Sequence, residues 1–280
     1  MASADTPPPP SGDASPSGDE IWRAMLLNPA PFRTRRRINS RIPSSPRCKM
    51  CAAPFAGPGG LVMRLTGHAR WAKNPKYCVG CFRALRENHG GAEIECSLLF
   101  ADVRGSTPLA EQMRPKEFTR LMGRFYDTAS AVLVDHDAYV DKFVGDEIIG
   151  LFVPALAGEG HAERAVNSAR TLLEATGHAA SGGPWVPVGV GVNTGTAYVG
   201  SVGEGEDREL TAMGDVVNTT ARLASAAAEG EILITLAAAS SAGVPAAPLE
   251  RRSLALKGKS AATDVFVIKV VREVFGGRDH

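Results

Sequence analysis

Apolar residues along this chain recur in two rhythms, and the changes of rhythm mark its elements. From Pro115 to Asp135, Phe118, Met122, Phe125, Ala129 and Val132 return at helical steps, which predicts a helix with one apolar face. A second helix is predicted from about His161 to Thr176. A third starts near Asp215, an N-cap candidate that follows Gly214. Short apolar runs broken at Gly or Asp read as buried strands. CSLLFADV (96–103) is one, and 138–143 with IIGLFV (148–153) makes a hairpin around a Gly145-Asp146 turn. VPVGVGVNTG followed by TAYVGSVG is expected to form another strand pair, and EILIT (231–235) and DVFVIKV (264–270) are later strands. The order strand, helix, hairpin, helix, strand is the βαββαβ of a ferredoxin-like sheet with helices on one face. The expected fold class is therefore α+β, with the main domain over about 94–273.

The N-terminal third follows other rules. Residues 1–20 are rich in Pro, Ser, Gly, Ala and Asp without apolar periodicity, and are expected to form a disordered tail. Over 21–45 a short helix and a basic linker are expected. Ile21, Trp22, Met25 and Leu26 suit an amphipathic turn or two that Pro29 and Pro31 stop, and four arginines in Arg33 to Arg37, with no interleaved aromatic, read as a solvated linker. Cys48, Cys51, Cys78 and Cys81 form two Cys-x-x-Cys pairs separated by 26 residues. Four soft thiolates at two knuckles suit tetrahedral Zn²⁺ in a zinc-ribbon-like module over 46–86, with an iron–sulfur cluster or a redox switch as the other readings. His68 reads as a surface residue and Cys96 as a small core side chain.

Bulk composition narrows the class. At 280 residues and 44% hydrophobic content, one full domain plus a smaller module fits better than one domain throughout. Lys and Arg total 31 against 30 for Asp and Glu, a balance that gives nucleic acid no general footing. The first residues lack the basic and apolar regions of a secretory signal, and no apolar run reaches the ~18 residues of a membrane span. A cytoplasmic protein is expected, in which Cys-x-x-Cys pairs point to metal or redox chemistry before structural disulfides.

The candidate chemistry lies in polar residues set against apolar runs. Asp102 closes a buried strand, where a bare carboxylate calls for a partner or a metal. Asp146 alone is ordinary turn chemistry, but strand order brings it beside Asp102. Two carboxylates would repel a triphosphate unless Mg²⁺ or Mn²⁺ lay between them and the phosphate oxygens. Asn218 and Arg222, four apart on a helix, share a face. As a surface stripe they would be unremarkable; beside apolar Val216, Val217 and Leu223 they lie near an interface.

The four segments LLFADVRGST (98–107), DKFVGDEIIGLF (141–152), VGVGVNTGTAYVGSVG (188–203) and ELTAMGDVVNTTARLASAA (209–227), in this order, resemble class III nucleotidyl cyclases, the adenylate and guanylate cyclase catalytic domain. The resemblance spans about 96–270. It implies a head-to-tail homodimer with active sites shared between chains. Asp102 and Asp146, with the Val103 carbonyl, would hold two Mg²⁺ or Mn²⁺ ions on one protomer. Asn218 would orient the ribose and Arg222 the α-phosphate region from the other. Lys142 and Thr211 match the family's base-selecting positions, where an ammonium and a hydroxyl suit adenine and a Glu and Cys pair suits guanine. The resemblance thus implies an adenylate cyclase that forms cyclic AMP and pyrophosphate from ATP, with guanylate cyclase or a silent nucleotide-sensing scaffold as alternatives. Ser106 stands where many members have Phe. FVGDEIIG is also similar to the GGDEF signature of diguanylate cyclases, but Val144 and Ile148 depart from it. LKGKS (256–260) ends like a Walker phosphate loop, yet Ser253 takes the place of that motif's first Gly. The module from Cys48 to Cys81 lies outside the resemblance, and its regulatory partner is not legible.

Overall fold

The computed structural model describes residues 18–28, 33–42, 46–72, 75–87, 90–203, 209–256, 259 and 261–270. In chain order, α1 (Gly18–Leu27), α2 (Arg33–Asn39), α3 (Gly57–Leu65) and α4 (Val79–Glu87) precede the first strand. Then come β1 (Gly90–Val103), α5 (Ser106–Gln112), α6 (Pro115–Asp135), β2 (Tyr139–Val144), β3 (Glu147–Phe152), α7 (Pro154–Ala157) and α8 (His161–Ala175). The chain continues through β4 (Val188–Val202), β5 (Glu209–Met213), α9 (Asp215–Ala226), β6 (Glu231–Thr235), α10 (Leu236–Ser241), β7 (Glu250–Leu254) and β8 (Thr263–Lys269). All strands join one sheet in the order β2-β3-β1-β4-β6-β8-β7, with β5 paired to β4. Its first four members keep the ferredoxin-like arrangement, so the α+β class holds. No described helix is long and apolar enough to cross a membrane.

Alternation on β1 and β4 divides the interior into two layers. Leu99, Ala101 and Val103 point with Val188, Val190 and Val192 into a core closed by α6 and α8. The opposite face of β1 presents Ile94, Leu98 and Phe100. On that face β4 shows only glycines at 189 and 191, and α9 lies directly on them. A Cβ on Gly191 would sit 2.5 Å from the Ala224 nitrogen, and one on Gly189 2.7 Å from the Ala227 oxygen. The VGVGV run therefore encodes two surfaces, a valine face for the core and a bare face that seats α9.

The face that carries α9 is also covered by α1 and the four-cysteine region. Trp22, Met25 and Leu26 of α1 and Met50, Tyr77 and Phe82 join Leu98, Phe100, Tyr139 and Leu151 in one buried cluster. Trp71, Phe82 and Tyr139 stack, with centroids 4.2 Å apart for the first pair and 5.5 Å for the last. At the turn before β2, Asp137 takes a left-handed φ of 66° and gathers three cations. Lys49 bonds one carboxylate oxygen, Lys76 approaches it at 3.3 Å, and Arg164 bonds the other at 2.8 Å. Burial opposes ionisation of Asp137, but the Lys49 hydrogen bond and the charges of Lys49 and Lys76 outweigh it and hold the carboxyl below its ordinary range.

Several expectations need correction. Helices occupy both faces of the sheet, because α9 and α1 bury the side opposite α6 and α8. VPVGVGVNTG and TAYVGSVG are not a strand pair: β4 runs unbroken because its whole length pairs with β1, and β5 supplies the hairpin partner. The strand expected from Cys96 begins at Gly90, so Cys96 lies mid-strand, fully buried, its thiol pushed up to about 12 by burial. The basic linker contains the helix α2, held by Asn39 Nδ2 donating to the Cys51 carbonyl at 2.9 Å. The first helix starts at Gly18, inside the expected tail, while residues 1–17 and 271–273 lie outside the described residues.

Candidate active site

Asp102 and Asp146 meet at the end of the β1–β3 pairing. Asp102 stands opposite Glu147, and the Val103 N–H donates to the Asp146 carbonyl at 3.2 Å. The turn between β2 and β3 needs Gly145 at a left-handed φ of 61°, and Tyr126 bonds its carbonyl from α6. Ser106 donates its hydroxyl to the Asp146 carboxylate, so the departure from Phe adds a polar contact at this carboxylate. A cavity of about 600 Å³, lined by Ser106, Phe118, Met122, Tyr126 and Asp146, opens beside it. The Val103 side chain is buried in the α6/α8 core, which leaves its carbonyl as the group on offer.

Negative charge is crowded at this edge. Burial raises the pKa of Asp102, Arg104 opposes that rise, and Asp146 adds to it. Glu147 is pushed up to about 7 by burial, then by Asp102 and Asp146. Arg104 ion-pairs with Asp102 and also donates to the Ser225 carbonyl at 2.8 Å, which ties the carboxylate edge to the C-terminal end of α9. Hard oxygen donors with more negative charge than one guanidinium offsets fit a divalent ion such as Mg²⁺ or Mn²⁺.

Thr211 and Lys142 are brought together by a residue that the sequence reading missed. Thr211 on β5 donates its hydroxyl to Asp141 Oδ2 at 2.8 Å, and the Lys142 ammonium lies 4.0 Å from Asp141 Oδ1. Asp141 and Thr211 are buried, whereas Lys142 is half-exposed. A carboxylate inside the apolar run VDKFV was the available signal.

Asn218 and Arg222 lie on the outward side of α9, whose Val216, Thr220 and Leu223 pack toward the sheet. Asn218 is exposed and Arg222 half-exposed. Neither bonds Asp102 or Asp146 within the chain, among the described residues. Lys259, from the segment first weighed as a phosphate loop, ion-pairs with Asp215 in the first turn of α9. That brings a further cation to this helix.

The four-cysteine cluster is closed. Its thiol sulfurs all lie within 4.8 Å of one another and all four residues are buried. The Cys48–Cys81 and Cys51–Cys78 separations of 3.9 and 3.6 Å match the edges, about 3.8 Å, of a tetrahedron with ~2.3 Å Zn–S arms. Hydrogen bonds among the four thiols lower Cys48 and raise Cys78 and Cys81, so the cluster shares its protons. The Cys78 N–H donates to the Cys48 sulfur at 3.4 Å. The donor set fits a soft tetrahedral ion.

The α+β sheet, with its carboxylate edge and α9 packed on β4, is that of the nucleotidyl cyclases. The chain belongs to the adenylate and guanylate cyclase catalytic domain family, whose model matches residues 91–269. It is 34% identical over 194 residues to adenylate cyclase 1 of Rhizobium meliloti, covering 64% of this chain and 28% of that protein. It is 28% identical over 189 residues to adenylate cyclase of Anabaena cylindrica, covering 62% and 36%. The chain thus spans about a third of the length of these relatives. Among solved structures it is similar to the guanylyl cyclase Cya2, with a TM-score of 0.59 at 25% identity over 67% of this chain and 98% of that one. The adenylyl cyclase CyaB from P. aeruginosa follows with a TM-score of 0.56 at 26% identity, over 66% and 98%.

Proposed function

We propose that this chain is an adenylate cyclase, which converts ATP to 3′,5′-cyclic AMP and pyrophosphate at sites shared by two head-to-tail protomers. The crowding of Asp102, Asp146 and Glu147 at one sheet edge carries the reading, because a bound cation would relieve the repulsion that raises Glu147. Asp102, Asp146 and the Val103 carbonyl would hold two Mg²⁺ or Mn²⁺ ions. Ions held there would supply neutralising charge for the triphosphate and would acidify the ribose 3′ hydroxyl. Asn218 of the other protomer orients the ribose, and its Arg222 holds the charge that grows on the α-phosphate. The 3′ oxygen bonds to the α-phosphorus, the bond to the bridging oxygen breaks, pyrophosphate leaves, and the hydroxyl proton passes to solvent.

The base preference follows from hydrogen-bond direction. With its proton committed to Asp141, the Thr211 hydroxyl turns an acceptor outward, which suits the N6 amine of adenine and opposes the O6 of guanine. The Lys142 ammonium donates to adenine N1, where guanine carries a proton of its own. The four-cysteine module is proposed to hold one structural Zn²⁺, and the cyclase is proposed to be cytoplasmic.

Purified protein with Mn²⁺ and ATP is expected to form cyclic AMP, and Asp102→Ala to lower the rate at least ~10³-fold. No cyclic nucleotide from either ATP or GTP would overturn the reading. Mixing Asp102→Ala with Arg222→Ala chains should restore activity in heterodimers; failure to do so would rule out the shared site.

A further inference from the structure

Charge is distributed along this chain far more unevenly than its total suggests. Residues 21–86 contain 14 Lys and Arg and no Asp or Glu, whereas residues 87–280 contain 17 against 26. The whole cationic excess therefore belongs to the stretch that carries α2 and the four-cysteine module, since α1 also holds Asp19 and Glu20. Exposed aliphatic side chains gather in the same region. Leu61, Val62 and Leu65 on α3 are 60%, 54% and 82% exposed, and Ile38 on α2 is 58% exposed.

The geometry of α3 explains why those side chains face outward. The helix packs inward through Gly59, Gly60 and Met63: a Cβ on Gly59 would lie 2.7 Å from Ile42 Cγ2, and one on Gly60 2.7 Å from the Phe55 carbonyl carbon. Helical spacing then sends Leu61, Val62, Arg64 and Leu65 to the opposite side. In the same segment Arg35 and Arg37 on α2, Arg41 just past it, Arg64 on α3, and Arg70 and Arg83 after it are all exposed. Arg70 lies over the Phe55 ring at 5.1 Å, and Gly67, just past the end of α3, lies beside the Arg83 guanidinium.

We infer that α3 and the exposed arginines of this acid-free segment form a docking face for an anionic lipid bilayer. A nucleic acid would use the cations, and exposed aromatic rings for stacking. Here Tyr77 and Phe82 are buried and Trp71 is stacked on Phe82, while the exposed apolar groups are aliphatic. Aliphatic side chains stabilise contact with the acyl boundary, and arginines beside them meet phosphate headgroups. Seating this face would place the cyclase at a membrane surface.

The test is co-sedimentation of the full chain with vesicles, either of phosphatidylcholine alone or with about 30% phosphatidylglycerol. Binding is expected only to the anionic vesicles. Leu61→Ser with Leu65→Ser should weaken it about tenfold or more, as should Arg35→Ala with Arg37→Ala. Circular dichroism and cyclase activity in solution should stay unchanged in both pairs. The inference is overturned by no vesicle binding, by binding that ignores the leucine pair, or by tighter binding to duplex DNA or RNA that depends on the arginines alone. A change of oligomeric state with the leucine pair would identify a second copy as the occupant and would equally overturn it.

Discussion

The two candidate metal centres of this protein are opposites in construction. The four cysteines are buried, come from two knuckles of one module, and lie close enough together to offer four ligands to one ion. The carboxylate edge offers two side chains and a carbonyl, half-exposed, with a neighbouring carboxyl pushed up to about 7 and the amide and guanidinium on a helix that faces away. A closed sphere suits a structural ion, while an open one leaves positions for substrate oxygens. The same contrast divides the charge: the closed site sits in an acid-free segment and the open one in the acidic remainder.

The sharpest way to break the comparison is to disable each centre in turn. Asp102→Ala should remove at least ~10³-fold of the activity and leave the melting temperature nearly unchanged. Cys48→Ser with Cys81→Ser should instead abolish zinc by metal analysis and lower the melting temperature by more than ~5 °C. If both changes moved stability alike, the division into structural and catalytic centres would fail. Gly191→Ala should come next, cutting activity by about 10–100-fold because its methyl group collides with the backbone of α9. Circular dichroism of that variant should keep the native strand signal. Asp141→Asn frees Thr211 from a fixed hydrogen-bond direction and should narrow the ATP over GTP preference by about tenfold, read as a ratio of kcat/KM values.

The smallest expected effect concerns Asp137. Its carboxyl is held below the ordinary range, so its contribution is present above the unfolded pKa of about 3.9 and is lost as pH falls through the lower folded value. Asp137→Asn should cost about 1–3 kcal/mol near neutral pH and flatten the acid limb of the stability profile. An unchanged acid limb would show that the cations do not depend on this carboxylate.

What could be read from the sequence was local. The 115–135 helix, the EILIT strand and the 145–146 turn each announce themselves within one continuous stretch of sequence, and the observed elements agree with them. Asp102 and Asp146 could be paired because strand order alone brings them to one edge. The continuity of β4 was hidden, since Asn193 and Gly195 look like turn residues until β1 is seen to pair along the whole strand. Asp141 escaped notice because its partner is 70 residues away, and Arg104 because its bond reaches 121 residues to Ser225. The seating of the cysteine module on the sheet was equally invisible, for it depends on aromatic rings that meet only in three dimensions.

That seating has a consequence for how the protein can change over time. Phe82 of the module and Tyr139 of the sheet share one stack, and the module's Lys49 and Lys76 hold the Asp137 turn that leads into β2. A chain cut at residue 90 would uncover Leu98, Phe100 and Tyr139, so the catalytic portion is not a free-standing cassette. Recombination that swapped the N-terminal segment would have to carry a matching ring and a matching pair of lysines. The module and the sheet are therefore expected to be inherited together, with substitutions at 82 and 139 drifting in concert.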